Sequence, residues 1–99
     1  MTITLAGIPG GYGYLEEIAP AGENIIPDVV KAVKENDPSL GPFSIQTMSI
    51  QVGTQTKVSI NNRLPVLIQP DIGLSFDVRG TVYSLVFEDA VPYNIAFSY

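Results

Sequence analysis

The chain contains no cysteine, no histidine and no tryptophan. Without thiols there is no disulfide framework, and no thiolate to hold a metal or attack a substrate. Without histidine, the commonest zinc ligand, the commonest general base and the side chain that changes charge near neutral pH are all missing. Neither a serine–histidine nor a cysteine–histidine nucleophile can be assembled from these residues. Charge is scarce as well: 15% of residues are charged, and ten acidic residues against five basic ones leave a net charge of −5. That sign opposes phosphate backbones and anionic lipid, so neither nucleic acid nor a membrane is expected as a partner. No apolar run approaches the roughly eighteen residues that a membrane helix needs, and the first residues lack the basic start and apolar core of a signal peptide. A soluble, cytoplasmically made, non-enzymatic product is expected, with no cofactor and no metal.

What is there is alternation. From Phe43 to Tyr99 apolar residues recur at every second position, the period of a strand with one face buried and one face wet. Val58 and Ile60 form one such run, Leu64, Val66 and Ile68 a second, and Leu74, Phe76 and Val78 a third. Tyr83, Leu85 and Phe87 form the next, and Tyr93, Ile95, Phe97 and Tyr99 the last. The first run changes parity, from Phe43 and Ile45 to Met48, Ile50 and Val52, which predicts a bulge near Gln46 and Thr47. Turn chemistry separates the runs: Gly53 and Thr54, Asn61 and Asn62, Pro70 to Gly73, Arg79 and Gly80, and Glu88 to Pro92. Spacings of roughly eight to twelve residues between turns suit antiparallel strands, because parallel pairs need long helical crossovers. Pro65 cannot donate to a ladder, so its strand belongs at an edge. The reading is a mainly β chain, a small antiparallel β-sandwich or barrel of about six strands over residues 43–99.

Residues 1–42 differ in composition, with six of the nine glycines and five of the eight prolines. Ile3 and Leu5 alternate with Thr2 and Thr4, which allows a short strand. Gly7 to Tyr14 is dense in glycine and reads as a loop or arm. It lacks the Lys and Ser or Thr that a phosphate-cradling loop needs after its last glycine. Leu15 to Glu23 reads as a polar linker. Its Glu16 and Glu17 could serve as paired catalytic carboxylates, although a solvated charge cluster is the commoner meaning of such a pair. Residues 27–36 are expected to be helical, with Pro27 in the first turn, Asp28 at the positive end and Val29 and Val33 stacked four residues apart. Residues 1–42 are therefore expected to be an arm with an embedded helix, meeting a neighbouring subunit through Ile3, Leu5, Ile8, Tyr12, Tyr14, Leu15, Val29 and Val33.

Two ligand sites are weighed against plainer meanings. Asp71, Asp77, Glu88 and Asp89 offer oxygen ligands for calcium, but their spacing fits no EF-hand, and acids in turns usually cap and solubilise. Tyr83, Tyr93 and Tyr99 could form an aromatic platform for a glycan. Their parity with Leu85, Phe87, Ile95 and Phe97 points instead to the core.

The closing pattern, Thr81 to Phe87, then Glu88 to Val91, then Pro92 to Tyr99, resembles the closing hairpin of small tailed-phage virion proteins. The resemblance covers under a fifth of the chain and extends in style to Val58–Gly80. It implies a β-sandwich structural subunit, a capsid decoration or a tail or neck component, that associates with itself and with other virion proteins. The implied location is the virion, after synthesis in the host cytoplasm. The long glycine-rich and helical first third departs from that pattern. The alternative is a carbohydrate-binding module, with a surface glycan as partner.

Overall fold

The computed structural model describes residues 11–99. It is mainly β, with two antiparallel sheets packed face to face and one short helix. In chain order the elements are β1 (Tyr12–Ala19), α1 (Ile26–Asn36), β2 (Thr47–Val52), β3 (Thr56–Ile60), β4 (Val66–Ile68), β5 (Leu74–Asp77), β6 (Leu85–Phe87) and β7 (Val91–Ser98). Sheet A runs β1-β7-β2-β5 and sheet B runs β4-β3-β6. Six of the strands fall in residues 43–99, where alternation predicts them.

The predicted periodicity becomes burial. Along β7, Val91, Tyr93, Ile95 and Phe97 point into the core while Pro92 and Ala96 stay exposed. Across the register their neighbours are the core-facing Val52, Ile50 and Met48 of β2. Phe87, Leu85 and Val58 of sheet B, all fully buried, close the layer from the other side. Each such side chain contributes roughly 1.5 to 3 kcal/mol by leaving water. The parity change before β2 is present too. Ile45 and Met48 are buried with Gln46 and Thr47 exposed between them, and both Gln46, which donates to the Ser98 carbonyl at 2.8 Å, and Thr47 fall opposite Ser98. Asn61 and Asn62 both sit at positive φ, 53° and 59°, with the Arg63 amide donating to the Ile60 carbonyl at 3.1 Å. This is the turn that asparagine tolerates better than other side chains. Pro65 precedes β4, which is an edge strand as its proline requires.

The first third of the chain departs from expectation. Tyr12–Ala19 is neither loop nor linker but an eight-residue strand paired with β7 along its whole length, and the amides of Gly11 and Tyr99 exchange two hydrogen bonds of 3.0 Å. Glycine is needed here because of the partner strand. The rings of Tyr99 and Phe97 lie where a β-carbon on Gly11 or Gly13 would stand, so the two glycines let aromatic rings lie across the strand. After β1, residues 22–25 run along the free side of β6, with Gly22 donating to Phe87 and Ile25 to Leu85. Asn24 fixes this crossing: its Oδ1 accepts from the Ile26 and Leu85 amides and its Nδ2 donates to the Tyr83 carbonyl, each at 3.0 Å. α1 follows at once and continues the layer of sheet B over β1. Ile26, Val29 and Val33 are buried in the chain's own core. The division after residue 42 therefore does not describe the molecule, because β1 and α1 are built into the sandwich.

The closing pattern is not a hairpin either. β6 pairs with β3 in sheet B, whereas β7 lies between β1 and β2 in sheet A. Glu88–Ala90 carries the chain from one sheet to the other.

Candidate functional site

The sandwich is closed on one flank and open on the other. On the closed flank, α1 and residues 22–25 fill the space beside β6 and over β1. On the open flank, β4 and β5 are the last strands of their sheets, and between them lies a groove of about 740 Å³ lined by Ile60, Asn62, Arg63, Leu64, Val66 and Phe76. Leu64 is 88% exposed and Val66 45% exposed. The turn after β3 holds Leu64 out of reach of the core, and β4 is too short to bring a second layer over it. The run Leu64, Val66, Ile68 thus keeps its expected parity while only Ile68 is buried. Nearby, Ile72 and Leu67 are exposed as well. Four of the nine exposed large hydrophobic side chains among the described residues thus fall within residues 64–72, and exposed apolar groups gathered beside a groove mark interaction surfaces.

A second surface is the outer face of sheet A. The register places Tyr12, Ser98, Thr47 and Asp77 in one row and Tyr14, Ala96, Ser49 and Ser75 in the next. Thr47 and Ser98 share a hydroxyl hydrogen bond of 2.5 Å, and Ser49 and Ser75 one of 2.9 Å. The centre of the face is therefore shallow, with Tyr12 and Tyr14 standing at its β1 side, 57% and 59% exposed. The Tyr14 hydroxyl donates to Glu16 Oε2 at 3.2 Å, and loss of solvent together with this bond raises its phenol above the ordinary value.

The residues expected to meet a neighbour are thus divided. Tyr12 and Tyr14 are available on the surface, and Leu15 is half-buried against the core. Val29 and Val33 are 1% and 0% exposed; they dock α1 on its own subunit and present nothing outward. Ile3, Leu5 and Ile8 lie outside the described residues. The glycan platform of Tyr83, Tyr93 and Tyr99 does not form, because Tyr93 and Tyr99 are buried and only Tyr83 is exposed. Tyr83 instead donates its hydroxyl to the Asn61 carbonyl at 3.3 Å. Tyr99 receives the Asn36 amide at 3.0 Å. The Tyr93 hydroxyl is buried without a hydrogen-bond partner among the described residues.

Chemistry is sparse. Glu16 and Glu17, as neighbours on a strand, project to opposite faces, so they cannot act together on one bond. Among the described residues no three acidic side chains converge as metal ligands would. No helix there is long and apolar enough to cross a membrane. The open groove is not what alternation predicts, since alternation marks Leu64 and Val66 as core; the only sequence signal for it is Pro65, which holds that strand at an edge. Compared with family models, with curated proteins and with solved structures, the chain matches none of them.

Proposed function

We propose that the chain is a non-enzymatic structural subunit of a bacteriophage particle, a capsid decoration or a tail or neck component. It would act by associating with itself and docking on a larger shell or tail protein, and the virion is its proposed location. The observation that carries this reading is the open flank, where an apolar groove lies beside two strand edges that are unpaired among the described residues. A protein that works alone gains nothing from such a flank, and natural sandwiches usually cover or charge it. The phage assignment itself comes from the sequence pattern of Val58–Tyr99, whose closing segment forms a crossover between the sheets instead of the hairpin that the resemblance implies. Particles purified by density gradient from lysates of cells that carry the gene should contain the chain in fixed proportion to the main shell or tail protein. Particles devoid of it would remove the reading.

A glycan-binding sandwich is the second reading. Its support is the outer face of sheet A, where the exposed Tyr12 and Tyr14 stand beside hydroxyl and amide side chains, as rings that stack on sugars do. Glycan-array binding that disappears in Tyr12→Ala and Tyr14→Ala, with an unchanged melting temperature, would favour it over the particle.

A further inference from the structure

We infer that copies of this chain join head to tail, the β1 edge of one copy adding to the β5 edge of the next, both edges being unpaired among the described residues, so that sheet A continues across the contact. The inference names the surface used in the proposed self-association and rests on that reading. The two edges match in three ways.

Direction is the first. β1 and β5 run opposite to one another within sheet A, because each neighbour in the order β1-β7-β2-β5 is antiparallel. Setting a second copy beside the first in the same orientation makes β5 and the incoming β1 antiparallel, with no strand reversed.

The pleat is the second. Gly11 exchanges hydrogen bonds with Tyr99, and Val78 donates to the Gln46 carbonyl. By alternation, the peptide groups left free at the β1 edge belong to Tyr12, Tyr14, Glu16 and Ile18, and those at the β5 edge to Ser75 and Asp77. Both sets carry their side chains on the outer face of sheet A, which is the condition for opposed residues in a continuous sheet.

Charge is the third. Among the described residues, Arg63 in the groove, Arg79 just beyond β5, and Glu16 and Glu17 on β1 make no ion pair; the one found joins Lys31 to Glu35. The register that sets Glu16 opposite Arg79 also sets Ile18 opposite Asp77, so like charges do not meet. The incoming α1, which packs on β1, then lies beside the groove. A strand edge alone is too small for a stable contact, which buries on the order of 1,600 Å² in total. The exposed Leu64 and Val66, with the half-buried Phe76, supply the apolar part. Because the contact uses two different surfaces, it closes into a ring or continues as a filament.

The chain has no cysteine, so single introduced cysteines report cleanly. Ile18→Cys and Asp77→Cys both replace exposed residues. Mixed and oxidised, they should give a crosslinked heterodimer, while neither variant alone should crosslink to itself. Self-crosslinking of Asp77→Cys would show a two-fold contact between β5 edges and overturn the inference, as would failure of the mixture to crosslink. Charge reversal gives an independent check. Glu16→Lys and Arg79→Glu should each weaken self-association by about tenfold, and the double variant should recover it. Association insensitive to either change, or a strict monomer by light scattering, would also overturn it. If the mixture fails to crosslink yet purified particles contain the chain, this contact falls and the phage reading stands. If the mixture crosslinks yet particles lack the chain, the contact stands and the phage reading falls.

Discussion

Tyr93 packs its ring on Phe87 with centroids 5.3 Å apart and has no partner for its hydroxyl among the described residues. Burial, then the Glu17 carboxylate, then that of Asp28, push its phenol from 10.0 up to about 12. A buried hydroxyl without a partner is a cost, so Tyr93→Phe should leave stability unchanged or raise it, as read from urea unfolding at pH 7. The pH dependence follows from the same shift. Because the folded value is raised, the contribution is complete below about pH 10 and declines as pH rises toward about 12, where the unfolded chain releases the proton first. Tyr93→Phe should therefore lose stability less steeply than the parent above pH 10. An equal slope would show that Tyr93 does not titrate differently on folding. Gly13 offers a steric counterpart. A methyl group there meets the Phe97 ring, and Gly13→Ala should cost about 1 to 3 kcal/mol by denaturant midpoint although it removes the strand's most flexible residue.

Among the elements, the helix and six of the strands were legible because each obeys a local rule. α1 carries Pro27, Asp28 and the Val29–Val33 stack, and the strands carry a period of two. β1 was not legible, since Gly11, Gly13, Glu16 and Glu17 break its period, and the reason for the glycines lies in Phe97 and Tyr99 more than eighty residues away. Sheet assignment was hidden for a related reason. β6 and β7 both bury their odd-numbered residues, so alternation cannot say that they lie in different sheets. Nor could it reveal the groove, because a free edge is defined by a missing neighbour. The structural role of β1 is testable: deleting residues 1–24 should abolish the cooperative thermal transition, whereas an appendage would leave it intact. Asn24→Ala should cost about 1 to 3 kcal/mol, since its side chain bonds three backbone groups that bind the crossing to β6 and α1.

For the whole molecule, the order of the strands matters more than their number. β7 sits between β1 and β2 and is paired on both sides, yet it follows every other strand in the chain. A fragment ending at Asp89 should accordingly lack a cooperative transition and bind a hydrophobic dye, and a native-like melting curve for that fragment would contradict the observed strand order. The same arrangement governs the chain while it is still on the ribosome. β1 leaves the exit tunnel with no strand to pair with and β2 with only β5 to come before the end, so the two halves of the sheet stay apart until the residues from Val91 onward join them. Until these emerge, the half-made sheet can be protected only by chaperones or by speed. Pauses in translation late in the message should then lower the yield of soluble protein more than pauses placed early.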